Sequence, residues 1–377
     1  MVNKIRLIKL LQQLIRINSE NPPGNEYPIA CFVKKYLSDL GLKCQLHEFK
    51  KNRSNIIAYL NEEKGRRSLL ITPHLDTVPS GDNWNVNPFS AKIIKGKIYG
   101  LGATDCKVNI AVSLEAIKSI VEQKVKLSFN LIFAATADEE CGSDLGLIPL
   151  LDKKILKPDA ALVLDADDFD IVVTQKGLMH LKVIIKGRRA HGAYPWLGVN
   201  AIDIALEIIK EIKSYKFLYR KNKFLRSPTI NVGTIKGGDK VNIVADRCEF
   251  ELDFRFLPGS KAQDLLKVLK GIIKKHSNKY KIEIEGIQEP YSISQAHPLV
   301  KCLKESVAGL NIKPRIKGSE GATVITFFQH KNIPAIATGF GFGGCAHTAN
   351  EYVRIESLYK GAKILENFLK KYSLNDK

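Results

Sequence analysis

Apolar residues in the first half of the chain fall in short blocks rather than long stripes. Residues 54–60, 68–72, 129–134 and 160–164 are apolar runs ended by polar, Pro or Gly residues. That is the pattern of central strands covered on both faces. Between them, residues 108–121 are apolar on most sides and predict a buried helix. Near the start, Ile5, Ile8, Leu11 and Ile15 recur at helical spacing. They predict an amphipathic first helix packed on a core. Helix and strand alternate over residues 1–175, which is α/β patterning.

The pattern changes at about residue 177. Leu181, Val183 and Ile185 alternate with Lys182, Ile184 and Lys186, and a helix fits 201–214. Strands fit 229–235 and 249–256, a helix 262–275, and a last alternating strand 281–287. The order β-α-β-β-α-β predicts a small separate α+β sandwich. From about 290 the α/β character returns, with a strand at 334–338 and a helix at 355–372. The expected fold class is α/β: a mixed-sheet domain with helices on both faces (1–176 and 290–377), interrupted by a smaller α+β domain (177–289).

The chain has 377 residues, 45% hydrophobic and 26% charged. This composition excludes a disordered chain, a collagen and a disulfide-rich miniprotein. No apolar run approaches the roughly eighteen residues of a membrane-spanning helix, so no membrane partner is expected. The formal net charge is +19. The densest basic groups read as Lys50-Lys51-Asn52-Arg53 and Arg66-Arg67, short and without interleaved aromatics. Lys spread over exposed faces is preferred to a nucleic-acid partner. The seven cysteines form no CxxC pair, and Lys4, Arg6, Lys9 and Arg16 break any signal-peptide core. A reduced, cytoplasmic setting is expected.

Six short stretches carry candidate chemistry. Thr72-Pro73-His74-Leu75-Asp76 follows an apolar strand, and in extended chain His74 and Asp76 face the same side. A turn with a surface histidine and a capping aspartate fits the same residues. Gly100-Leu101-Gly102-Ala103-Thr104-Asp105 precedes the buried helix, where Asp105 also suits a helix cap. Its Gly-x-Gly lacks the third glycine and the strand–turn–helix context of a nucleotide site. Asp138-Glu139-Glu140 reads either as a solvated acidic turn or as neighbours with different tasks, one ligating a cation and the other moving a proton. Asp165 stands at another strand's carboxyl end. Gly343-Gly344-Cys345-Ala346-His347 is a glycine-rich loop with one histidine. Arg189-Ala190-His191-Gly192-Ala193-Tyr194-Pro195 lies in the inserted domain. Histidines and carboxylates placed after several strands of one sheet suit zinc or a similar divalent ion. A shared carboxylate would hold two ions about 3.5–4 Å apart.

These motifs, in this order, resemble the dinuclear zinc peptidase and deacylase family. It includes succinyl-diaminopimelate desuccinylase, acetylornithine deacetylase, aminoacylase and glutamate carboxypeptidase. The resemblance runs from Asn21-Pro22-Pro23-Gly24-Asn25-Glu26 through the His74–Pro79 motif, Pro88-Phe89-Ser90 and Gly96–Lys107 to Asp138-Glu139-Glu140. It returns at Ala190–Pro195 and Gly198-Val199-Asn200-Ala201 and closes with His347 and Glu351. It implies that His74 and Asp165 bind one metal, that Glu140 and His347 bind the other, and that Asp105 bridges them. Asp76 would orient His74. Glu139 would be the general base for a metal-activated water. The insert would be a lid and dimerisation domain. Its His191 would help stabilise the oxyanion, and its Asn242 and Arg255 would contact the substrate or its carboxylate. The implied cofactors are two divalent ions, zinc first, with Co2+ or Mn2+ able to replace it. The implied partners are an N-acyl amino acid or a short peptide, and a second copy of the chain in a homodimer.

The chain departs from the family at several places. Val108-Asn109 stand where the family often has two glycines, and Val244-Ala245-Asp246 replace a frequent Ile-Pro segment. Ser319-Glu320-Gly321-Ala322-Thr323 stands where many members have a Gly-Thr-Asp-like loop. Asp at 165 points toward peptidases, whereas Gly81-Asp82-Asn83-Trp84 to Pro88-Phe89 resembles the desuccinylase and deacetylase branch. The expected activity is removal of the acyl group of an N-acyl amino acid. A dipeptidase or carboxypeptidase is the alternative, and a non-catalytic binding protein on the same fold a further one.

Overall fold

A computed structural model describes residues 1–321 and 323–373. The chain divides into two compact units. The first comprises Met1–Val173, Ile293–Lys317 and Phe327–Lys377; the second comprises Thr174–Ser292 and Gly318–Thr326.

The first unit is built on a mixed sheet. Its strands lie side by side in the order Lys43–Glu48, Ser54–Leu60, Asn130–Ala135, Ser68–Thr72, Ala160–Leu164, Ala335–Thr338, Ile171–Gln175. Asn130–Ala135, Ser68–Thr72, Ala160–Leu164 and Ala335–Thr338 run parallel. The flanking strands pair antiparallel. The apolar blocks form this sheet because both of its faces are covered, so nearly every side chain of the parallel strands is buried. Their carboxyl ends fall together, where open α/β sheets bind ligands.

The helix Lys107–Glu122 is buried almost all round and packs against Lys4–Ile15 and Ile355–Lys371. In the first helix the buried stripe is Leu7, Leu10, Leu11, Leu14 and Ile15. Ile5, expected on that face, is 68% exposed. The helix runs from Lys4 to Ile15, and its 100° per residue places Leu7 and Leu14, not Ile5, in line with Leu11. A small sheet completes the unit: Tyr352–Arg354 pairs with Lys97–Tyr99, which pairs with Lys92–Ile94. Among the described residues no helix is long and apolar enough to cross a membrane.

The second unit is a four-stranded antiparallel sheet in the order Thr229–Gly237, Arg247–Phe256, Gly177–Lys186, Tyr280–Gln288. Arg247–Phe256 alternates between buried and half-exposed positions with hardly a break. Its buried Phe250, Leu252 and Phe254 meet the helices Ala201–Ser214 and Ala262–His276 in one core. Gly318–Thr326 is tied into this unit. Lys176, buried, is ion-paired to Glu320 at 2.6 Å, and Glu320 also accepts the Arg226 N–H at 2.8 Å. Ala322, in the loop singled out from sequence, lies outside the described residues.

The unit also corrects the reading of charge. Residues 213–226 hold Lys213, Lys216, Arg220, Lys221, Lys223 and Arg226 with no acid, interleaved with Tyr215, Phe217, Tyr219 and Phe224. This stretch is longer and holds more cations than either group picked out above, and among the described residues none of its six cations is ion-paired to a carboxylate.

Candidate metal centre

Five segments bring the candidate ligands together at the carboxyl ends of the parallel strands. Beyond Ser68–Thr72, pairing continues past the strand: the Leu75 N–H donates to Thr136 O at 2.7 Å, and Thr136 N–H to Pro73 O at 3.1 Å. This fixes His74 and the turn before Glu139 together. Asp165 is held by its N–H on Thr338 O at 2.9 Å, so the neighbouring strand sets its position. Asp105 enters from the loop before the buried helix. His347 enters from the glycine-rich loop, with a left-handed φ of 58°.

Asp105 stands at the centre. Its Oδ1 lies 2.9 Å from His74 Nε2, and its Oδ2 lies 3.3 Å from His347 Nε2. Asp165 Oδ1 approaches His74 Nε2 to 4.0 Å, and Glu140 Oε1 lies 3.2 Å from His347 Nε2. Among the described residues two groups of potential ligand atoms lie within 4.8 Å of one another: His74, Asp105 and Cys106, and Asp105, Glu140 and His347. Asp105 belongs to both. Cys106 is buried, with its thiol 3.0 Å from Leu164 O and 3.3 Å from Asn109 Nδ2.

Behind these atoms lies a buried scaffold. His74 Nδ1 is 3.0 Å from the Asp76 carbonyl oxygen and 3.5 Å from its carboxylate. This leaves Nε2 facing Asp105. Asp76 Oδ1 accepts the Glu139 N–H, and Oδ2 accepts the Glu140 N–H, each at 3.1 Å. Asn21 Nδ2 donates to Asp76 Oδ2 at 2.9 Å. Arg53 binds Glu26 through two nitrogens at 2.7 and 2.8 Å and Asp138 at 2.7 Å. Asn109 donates to Leu164 O at 3.1 Å and accepts the Phe340 N–H at 3.0 Å. It thereby links the helix start to two strand ends.

The charges explain why cations fit. Burial and repulsion from Asp105 push the Asp165 carboxyl up to about 7. Burial, then Asp105 and Asp168, push Asp167 up to about 6. Loss of hydration and the nearby Asp165 raise Glu139 well above the usual carboxylate range. Burial opposes ionisation of Asp105 as well, but bonds from His347 and His74 outweigh it and hold its carboxyl low. Bonds to Asp105 and Glu140 lift His347 to about 10. Carboxylates crowded this closely repel, and a divalent cation among them relieves that repulsion. Mixed imidazole and carboxylate donors are the chemistry such ions take. The residues present therefore fit a pair of divalent ions. His74, Asp105 and Asp165 would hold one, and Asp105, Glu140 and His347 the other.

The model of "Peptidase family M20/M25/M40" matches residues 70–371, a span that includes every candidate ligand. The chain belongs to this peptidase family. An uncharacterized metallohydrolase of Methanocaldococcus jannaschii is 31% identical, over 96% of this chain and 98% of the relative. Acetylornithine deacetylase of Vibrio cholerae is 28% identical, over 93% and 92%. A Staphylococcus aureus tripeptidase of known structure superposes with a TM-score of 0.81 at 26% identity, covering 98% of both chains. As an M20/M25/M40 member, the protein is a metal-dependent hydrolase of amide or peptide bonds.

In the second unit of this family member, His191 and Asn242 come together. Gly192 N–H donates to Asn242 O at 2.8 Å, and His191 bridges to Ile243. His191 Nδ1 accepts the Ala193 N–H at 3.0 Å, so its Nε2 carries the proton in the neutral ring. Arg255 is apart from them in its bonding: Asp253 binds its guanidinium at 2.7 and 3.1 Å. The sequence reading missed the roles of Asn21, Glu26, Arg53 and Asp138. The Asn21–Glu26 run and the acid before Glu139 contain three of them, and Arg53 stood only in a basic group.

Proposed function

We propose that the protein removes the acyl group of N-acyl amino acids. The observation that carries this reading is the division of the Asp105 carboxylate between His74 and His347. One acid so placed suits a bridge between two ions, and Asp76 sets Glu139 beside it. When bound, the ions would supply Lewis acidity toward the substrate carbonyl and the attacking water. Zinc is the ion proposed, with Co2+ and Mn2+ as replacements.

Glu139 is the proposed general base. It takes a proton from water as the oxygen bonds to the acyl carbon, then delivers that proton to the amide nitrogen as the C–N bond breaks. A carboxylic acid and a free amine leave. The raised proton affinity of Glu139 suits a group that must hold a proton midway. His191 is assigned by the family resemblance to the developing oxyanion, and the N–H on its Nε2 supports that donor role. Such a donor contributes roughly 3 kcal/mol. Asn242 is kept as a substrate contact. Arg255 would take a substrate carboxylate only by exchanging it for Asp253. We further propose a cytoplasmic homodimer formed through the second unit, which light scattering coupled to gel filtration tests.

The deacetylase similarity supports the acyl amino acid. The tripeptidase similarity favours a second reading, a peptidase acting on short peptides. Amine release from N-acetyl and N-succinyl amino acids, dipeptides and tripeptides separates the two. The zinc-loaded protein is compared with its Glu139→Gln variant as the blank. Turnover of acyl amino acids alone supports the proposal, and turnover of peptides alone overturns it.

A further inference from the structure

Glu351 lies only four residues beyond His347, yet none of the roles above uses it. Its side chain is 1% exposed. Its Oε1 accepts the N–H groups of Thr104 at 2.5 Å and Asp105 at 2.9 Å, and its Oε2 accepts that of Gly102 at 3.0 Å. Its own carbonyl oxygen accepts the Gly100 N–H at 3.0 Å. Among the described residues no cation comes within ion-pair distance of it, so three main-chain amides satisfy this buried carboxylate. Gly102 can turn its N–H inward because it sits at φ +82°, where a Cβ would come 2.8 Å from the buried Lys107 side chain.

Every one of these donors belongs to the loop that delivers Asp105. The pairing of Tyr352–Arg354 with Lys97–Tyr99 carries Glu351 to that loop. The geometry points to Glu351 as a positioning residue of the metal centre: it fixes the main chain of Asp105 so that the two carboxylate oxygens stay divided between His74 and His347. It also ties the loop of one ligand to the segment that follows another, since His347 and Glu351 share a short stretch of chain. A side chain that merely stapled two segments would serve as well with any loop residue. This carboxylate instead takes the N–H of the shared ligand itself. The inference rests on reading Asp105 as the bridge.

The test is a competition titration of the metal-free full chain with zinc against a chromophoric chelator. Glu351→Gln loses the charge and turns an NH2 toward a main-chain N–H. It is expected to keep cooperative unfolding and to bind zinc about 10–100-fold more weakly, the range for residues that orient metal ligands. Its kcat should fall while KM moves little. Thr104→Val is the control. It removes both bonds of Thr104 Oγ1, the one donated to Tyr352 O at 2.9 Å and the one accepted from the Phe342 N–H at 3.2 Å, and leaves the carboxylate untouched. It should lower the unfolding midpoint and keep wild-type zinc affinity. Wild-type affinity in Glu351→Gln, or an equal loss in Thr104→Val, overturns the assignment. If Glu351→Gln does not fold, Glu351→Asp, charged but one methylene shorter, carries the test: weaker zinc binding in a folded protein supports the proposal, and wild-type affinity overturns it. A wild-type protein that binds no zinc, cobalt or manganese would instead defeat the reading of Asp105.

Discussion

The carboxylate of Asp76 accepts the main-chain N–H of Glu139 at 3.1 Å, while the carbonyl oxygen of Asp76 faces His74 Nδ1. One residue thus orients a candidate metal ligand and the candidate base. Asp76→Asn should weaken both. An amide in its place must turn its NH2 toward the N–H of Glu139 or Glu140. Metal affinity and kcat are each expected to fall by about 10–100-fold. Chelator competition and steady-state kinetics on the same preparation check this.

Glu139→Gln should separate binding from chemistry. The Glu139 carboxylate accepts no hydrogen bond among the described residues, so removing its charge leaves the ligand cage intact. Turnover should drop by about 10²–10⁴-fold, the usual worth of a general base. The metal content, measured by mass spectrometry, should stay at the wild-type ratio.

Arg53 joins Glu26 and Asp138 in the interior, and all three side chains are almost wholly buried. Arg53→Ala would strand two carboxylates away from water. A loss of about 3–5 kcal/mol is expected. Arg53→Lys should recover only part of it, because one ammonium cannot match the two-pronged contact with Glu26. Urea unfolding of the three proteins measures both.

Glu366 gives a pH signature remote from the metal centre. Burial raises its carboxyl, but the bonds from Lys370, Ser119 and Gln123 outweigh burial and hold it below its ordinary 4.5. The folded state then binds fewer protons than the unfolded chain as the medium turns acidic. Its contribution is therefore full above about pH 4.5 and fades as pH falls through the lower, folded value. Glu366→Gln should cost about 1–2 kcal/mol at pH 7. The difference from wild type should shrink steadily below pH 4.5 in unfolding curves taken at several pH values.

The apolar runs announced the parallel strands because burial on both faces leaves no polar alternation to blur them. His74, Glu140 and Asp165 were readable for the same reason: each stands within a few residues of the end of such a run. What stayed hidden depends on contacts between distant residues. Arg53 reads as one of a group of surface cations, yet it is buried against Glu26 and Asp138, and no spacing marks that triad. The bond from Asp76 to the Glu139 amide exists only because two neighbouring strands end level. Ile5 has helical spacing to its partners, but a helix rotates it out of their line. Asn109 seemed a departure at a helix start, and only the folded chain reveals it bonded to the strand ends at Leu164 and Phe340.

The strand Ala335–Thr338 lies between Ala160–Leu164 and Ile171–Gln175, both of which precede it on the chain. A ribosome therefore finishes the neighbours long before the strand that fits between them. Roughly 180 residues separate Asp165 from His347, on the order of ten to forty seconds of synthesis. For that interval the nascent sheet has an open slot, and the proposed ligands His74, Asp105, Glu140 and Asp165 stand without His347. With the ligand set proposed above, metal capture would be a late event in the life of the chain, and translation stalled between Asp165 and that strand would leave an acidic half-site beside an unpaired sheet edge.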